Sequence, residues 1–210
     1  MTFTKWQLST IVIDGSVPTV VTLGFLAAKY LGKISKSLFL TYFFGAFIGA
    51  IWEIPFGIAG ENFLMFKFHN PYGFFVHILH SFWDSILFLI GMYFIHIRNR
   101  GKYCGLCQLG LLISWGLISE FIIELLYNDK YWYYNPDNKH NPVVFTIHDV
   151  KYTCVPFLVW IVFPVLYLAG VFSIIEKYGP LVKDNDDSII LDDTEQLSLE
   201  IDNNTSYSEL

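Results

Sequence analysis

Two histidines, an aspartate and three glutamates in this chain sit where apolar sequence surrounds them, and together they could move protons. The densest group opens the apolar segment Gly73 to Ile97, which reads His77-Ile78-Leu79-His80-Ser81-Phe82-Trp83-Asp84-Ser85. Residues three and four apart share a helix face, so His77, His80, Ser81, Asp84 and, more loosely, Ser85 form one polar stripe. An aspartate near the middle of a bilayer costs about 2.5–3.5 kcal/mol on insertion scales unless something compensates it. That cost marks the stripe as a site or as the polar core of a helix bundle. Two other segments add carboxylates. Glu53 follows Gly45 and Gly49 at a spacing of four, and Glu120 and Glu124 are helical neighbours at the same spacing.

Imidazole and carboxyl side chains at one depth suit acid–base chemistry. A carboxylic acid in an apolar site can act as a proton donor, and aromatic faces can stabilise a developing cation. Trp52, Phe56, Trp83 and Phe121 lie close to the acids in sequence. This reading is an enzyme that modifies a lipid or isoprenoid, with Glu53, His77, His80, Asp84, Glu120, Glu124 and His148 as its candidate catalytic residues. The same residues could ligate zinc or iron, although the Glu-x-x-His motif of di-iron bundles is absent. The sequence therefore names neither metal nor cofactor. Two readings from other classes use the same groups. One is a proton-coupled carrier, since Asp, Glu and His in spans are typical of proton relays; with five helices it would need an oligomer. The other is a non-catalytic scaffold or accessory subunit whose polar groups only bond helix to helix.

The elements that must position these residues are membrane helices. Of 210 residues, 54% are hydrophobic and 19% aromatic, too apolar for an ordinary soluble domain. Five runs are long enough to cross a bilayer: about 11–31, 37–59, 73–97, 105–127 and one ending near Ile175. The first is span-length and lacks a basic leader, so it reads as a retained helix. The expected fold is an all-α, five-span membrane domain over residues 1–180, followed by a disordered acidic tail over 181–210. The tail holds nine acids and one lysine, whereas the other residues hold twelve Lys/Arg and ten Asp/Glu. The net charge of −6 is thus a property of the tail. No basic patch suited to nucleic acid is present.

Basic residues fix the expected orientation. Lys29, Lys33, Lys36, Arg98, Arg100, Lys102, Lys177 and Lys183 fall on one side of a five-helix bundle, which should be cytoplasmic. The N-terminus is then lumenal or extracellular and the tail cytosolic. Asp14, Glu53, His77, His80, Glu120 and Glu124 all fall in the outer half of their helices, with Asp84 nearest the middle. The loop 128–141, rich in Tyr and Trp, reads as an interfacial aromatic belt. Cys104 and Cys107 form a CxxC beside the membrane, which reads as two small apolar residues at a helix start.

Shifted by 71 residues, the chain matches itself without a gap. His69-Asn70-Pro71 pairs with His140-Asn141-Pro142, His77 with His148, Gly45 with Gly116, and Glu53 with Glu124. The expectation is a duplicated helical hairpin, about 37–97 and 108–168, plus one extra N-terminal helix. Its two copies would be related by an axis along the membrane normal. The repeat places the start of helix five near Val143, and not near Thr153, where hydropathy alone would put it.

The orientation is directly testable. Asn203 and Asn204 are the only Asn-x-Ser/Thr acceptors, and both should stay unglycosylated in a eukaryotic cell, read as an unchanged gel mobility after glycosidase treatment. A glycan on either would invert the topology.

Overall fold

The computed structural model describes residues 4–60, 63–66, 72, 74–99, 102–127, 130–135 and 137–182. Five long apolar helices, each able to span a membrane, run back and forth through it: α1 Lys5–Tyr30, α2 Lys36–Ala59, α3 Phe75–Met92, α4 Gly105–Tyr127 and α5 Cys154–Tyr178. A π-helical turn, Tyr93–Ile97, continues α3 to the end of its span. The acidic tail beyond residue 182 lies outside the described residues.

Helix ends follow from local caps. Thr4 and Gln7 form a capping box, with Gln7 N–H on Thr4 Oγ1 at 3.2 Å and Thr4 N–H on Gln7 Oε1 at 2.9 Å. This starts α1 at Lys5, ahead of the apolar run. Ser35 caps α2 by accepting from Leu38 N–H at 2.9 Å. Its hydroxyl also donates to Leu181 O at 2.6 Å, and Ser37 donates to Gly179 O at 2.6 Å. These bonds tie the end of α5 to the start of α2.

At the opposite end of the bundle the all-helical expectation needs correction, because two short antiparallel ribbons stand there. Strand β1, Leu64–Phe66, pairs with β2, Trp132–Tyr134, in the register Leu64 with Tyr134 and Phe66 with Trp132. Strands β3, Val143–Ile147, and β4, Val150–Thr153, form a hairpin. Its two-residue turn is His148-Asp149, with φ of 47° and 66°. Both residues lie in the left-handed region that such tight hairpin turns demand. Helix five therefore starts at Cys154, as hydropathy indicated, and not at Val143. The repeat fails at this point. Its second copy holds a hairpin where the first holds the start of α3. Asn141 of the repeated His-Asn-Pro block has a structural task. Its Nδ2 donates to Thr153 Oγ1 at 3.0 Å and its Oδ1 accepts from Val155 N–H at 2.8 Å, which satisfies the first turn of α5. His69-Asn70-Pro71 lies outside the described residues.

Packing is closest between α2 and α3. A Cβ on Gly45 would come within 2.8 Å of Ser85 Oγ, and one on Gly49 within 2.8 Å of Ser81 O and 2.9 Å of Ser81 Cα. Small residues on both helices let the backbones meet, as membrane helix pairs require. Ser85 Oγ donates across the seam to Tyr42 O. Below this contact, Trp52, Phe88, Met92, Leu112, Trp160 and Tyr167 form the apolar core joining α2, α3, α4 and α5. Helix α1 packs on α3 and touches α2, where Phe25 stacks on Tyr42 at 4.2 Å and Thr22 Oγ1 lies 2.8 Å from Tyr42 Oη.

A side chain larger than hydrogen at Gly49 should be costly, because it meets the Ser81 backbone as well as Asp84 Oδ2. Gly49→Leu should lower stability by about 1–3 kcal/mol through overpacking. Gly24, which has nothing within 4 Å of its would-be Cβ, gives the control: Gly24→Ala should be neutral or stabilising. Thermal unfolding in detergent measures both.

Candidate functional site

The α2–α3 seam sets the first group of the site. Gly45, Gly49, Glu53 and Gly57 recur every four residues along one face of α2. A Cβ on Gly57 would lie 2.9 Å from His77 Cγ, so this glycine makes room for the His77 ring. Seated there, His77 Nδ1 meets Glu53 Oε2 at 2.9 Å. One turn along α3, His80 Nδ1 stands 3.8 Å from the same Glu53 oxygen, and its Nε2 stands 3.7 Å from Asp14 Oδ2 on α1. Three helices thus contribute to one chain of groups, Asp14–His80–Glu53–His77. Each imidazole is bracketed by, or paired with, a carboxylate. Buried charges persist in this form, since an isolated one costs several kcal/mol.

The second group belongs to α4 and α5. A Cβ on Gly116 would lie 2.9 Å from Trp160 Cδ2, so this glycine seats the indole. Trp160 Nε1 then donates to Glu120 Oε2 at 3.0 Å. Glu124, 1% exposed, sits near Glu120 and the Tyr134 phenol. Burial, and then the nearby Glu124, Glu120 and Glu53 carboxyls, hold the Tyr134 phenol well above its ordinary value. It therefore stays a hydroxyl that can donate.

Between the groups lies a cavity of about 240 Å³, bordered by Asp14, Glu53, His80, Asp84, Glu120 and Glu124. Trp83, Trp132, Trp160, Tyr127 and Tyr134 wall it, and Leu87 and Ile123 give it an apolar side. A smaller space of about 70 Å³ shares Glu53, His80, Asp84 and Glu120 with it and reaches towards Phe56 and Pro156. The β1–β2 ribbon brings Leu64, Trp132 and Tyr134 to the cavity, with Trp132 stacked on Tyr127 at 5.3 Å. Polar groups from four helices share one end of the bundle, the end that carries the ribbons.

Of the seven candidate residues, the structure brings Glu53, His80, Asp84, Glu120 and Glu124 to this cavity. His77 stands behind Glu53 and positions it. His148 is not part of the site: it is exposed at the tip of the β3–β4 turn. The proposed equivalence of His77 and His148 is lost with it. Asp84 pairs with neither His80 nor a glutamate; its Oδ2 is buried without a hydrogen-bond partner among the described residues. Eight residues that line the cavity were not among the seven, Asp14, Trp132 and Tyr134 among them. Asp14 had a signal, its depth in the first span. Trp132 and Tyr134 had none separable from an aromatic belt, because strand pairing with residues 64–66 is what folds them inward. Cys104 and Cys107 are exposed at the far end of α4 and take no part.

Among the described residues, no three His, Cys, Asp or Glu side chains stand together closely enough to hold a metal ion. The arrangement offers proton donors and acceptors within an aromatic wall. No family model, curated protein or solved structure matches this chain.

The Glu53–His77 contact has a measurable strength. A double-mutant cycle with Glu53→Gln and His77→Asn should give a coupling of about 1.5–3 kcal/mol, the range for hydrogen bonds to charged groups. Coupling of His77→Asn with Glu120→Gln should lie near zero, since the two residues share no contact. Chemical unfolding in mixed detergent checks both.

Proposed function

We propose that this chain is a membrane enzyme that carries out acid–base chemistry on a lipid or isoprenoid, with its cavity in the outer half of the bilayer. The observation that carries the reading is the asymmetry among the buried acids. Glu53 is compensated by His77 at 2.9 Å, whereas Asp84 borders the same cavity with an unpartnered oxygen. A compensated carboxylate suits the role of base, and an unpaired carboxyl suits exchange of a proton with a bound substrate. His80, between Asp14 and Glu53, is placed to relay a proton along the first group. The indoles of Trp83, Trp132 and Trp160 present faces suited to a developing positive charge.

Access from the bilayer supports a lipid substrate. Asp14 borders the cavity from α1, and Ile123 and Tyr127 border it from α4. These two helices pack on α3 and form no seam with each other. A lipid chain can leave between them into the membrane. The basic residues at the other end of the bundle support an orientation with the cavity facing the lumen or cell exterior. A carrier or a scaffold would use the same helices; the indole walls around Asp84 favour the enzyme reading.

Comparing the lipids of cells that lack the protein with those of cells that express it tests the proposal. Deletion should raise one lipid and lower another that differs from it by a proton shift or by addition or loss of water. Asp84→Asn keeps the size and an acceptor but removes the acid. It should express and fold normally yet leave the deletion profile unchanged. A folded Asp84→Asn variant that restores the profile would remove Asp84 from the mechanism and favour a structural role.

A further inference from the structure

The β3–β4 hairpin lies outside the spans and takes no part in the cavity. Strand β3 reads Val143-Val144-Phe145-Thr146-Ile147, and every residue of it is exposed, Val144 at 57%. An antiparallel strand with one face on a core and one in water alternates apolar and polar residues. β3 carries apolar side chains on both faces and buries neither. Its partner strand differs, for Val150, Tyr152 and Thr153 of β4 are buried. The hairpin is thus seated on the bundle through β4 and turns β3 outward.

Ring contacts set its depth. Tyr152 stacks on Phe121 of α4 at 5.1 Å and on Phe145 of β3 at 4.7 Å. Phe145 also meets Phe157 of α5 at 5.8 Å. Phe121 lies six residues short of the end of α4, about 9 Å below it along the helix. Phe157 lies three residues into α5. Both helices are long and apolar enough to cross a membrane, so Phe145 sits beside the ends of two spans and not above them. On the same turns of α5, Leu158 and Ile161 are exposed, as lipid-facing residues are.

Three surroundings are open to such a strand. Water would leave four apolar side chains in a run of five bare beside an open strand edge, a combination that invites aggregation. The hydrocarbon core fails on the backbone. Among the described residues β3 pairs with β4 alone, so its other edge has no neighbouring strand, and lipid-exposed open edges do not occur in hydrocarbon. The boundary between acyl chains and head groups meets both demands. It offers carbon to the side chains, and water and head-group oxygens to the edge. The polarity of the hairpin runs the same way. Val143, opposite Thr153, adjoins α5, whereas the tip, His148-Asp149, is polar and exposed. Asp149 offsets Lys151, so neutral phosphatidylcholine suffices as the partner.

We propose that the β3–β4 hairpin is a phospholipid-docking element, with β3 lying along the boundary of acyl chains and head groups at the ribbon end of the bundle. This role is independent of the chemistry of the cavity.

The test uses the full chain in phosphatidylcholine nanodiscs, with Cys104, Cys107 and Cys154 replaced by alanine. A nitroxide on Val144→Cys should be reached better by oxygen than by a water-soluble nickel chelate, as should one on Leu158→Cys in the α5 span. A nitroxide at the tip, on His148→Cys, should show the reverse. A Val144 label reached better by the chelate would put the hairpin in water and overturn the proposal. A label shielded from both reagents would overturn it too, in favour of a protein partner, and spin–spin broadening would identify that partner as a second copy of this chain. The unmodified chain gives a second measurement that needs no variant. Phosphatidylcholine with a photoactivatable diazirine high on its acyl chain should label residues 143–147 as well as α5, read by peptide mass spectrometry. Labelling of α5 without any in 143–147 would contradict the proposal.

Discussion

The close approach of α2 to α3 is the constraint on which the rest of this structure depends. Gly45, Gly49 and Gly57 present bare backbone to Ser85, Ser81 and His77. Membrane helices gain little from hydrophobic association, since lipid is as apolar as they are, so fit at small residues does the work. The glycine spacing fixes the register as well as the distance. Glu53 falls in the one gap of the series and meets His77 at 2.9 Å. Without that register a buried glutamate would face lipid or a helix with nothing to pair it.

From that pair the polar network extends in two directions and then stops short. His80 links Glu53 to Asp14 on α1, and Trp160 secures Glu120 on the opposite side. Tyr134 comes down from the β1–β2 ribbon to Glu124. Asp84 Oδ2 is left over, as are the indole N–H groups of Trp83 and Trp132, two other residues that line the cavity. A bundle built only for stability would satisfy these atoms or replace them with apolar side chains, because half-satisfied polar clusters are worse than none. The residual polarity, set in an aromatic cavity, is what the proposed chemistry would use.

Much of the helical frame was legible because span length and hydropathy are one-dimensional properties. Gly105–Tyr127 was read to the residue, and the other spans to within a few residues except where the Thr4 capping box extends α1 and where the repeat set the start of α5 too early. The stripe from His77 to Asp84 was legible for the same reason, since helical spacing alone puts it on one face. Three features were not. The β3–β4 hairpin hides in Val143–Thr153 because its strands are as apolar as a helix start. Its turn uses His148 and Asp149 in place of the Gly or Asn that would announce it. The match between His77 and His148 then suggested a helix where none exists. The inward turn of Trp132 and Tyr134 depends on pairing with residues 64–66, almost seventy positions away in sequence, and no local pattern reports it. Finally, the pairing within the stripe was not legible. Sharing a helix face permits Asp84 and His80 to meet without making them do so, and His80 turns instead to Asp14 and Glu53.

The central claim is that the glycine face of α2 delivers Glu53 to His77 inside the bundle. Solid-state NMR on the chain in lipid bilayers, with ¹⁵N-labelled histidine and ¹³C-labelled glutamate, measures this contact through the dipolar coupling of His77 Nδ1 to the Glu53 carboxyl carbon. The account predicts strong dephasing, consistent with the 2.9 Å nitrogen–oxygen contact, which disappears in Glu53→Gln and weakens in Gly49→Leu. Absence of coupling in the unmodified protein would contradict it, because the two helices would then meet in another register and the cavity built on that register would not exist.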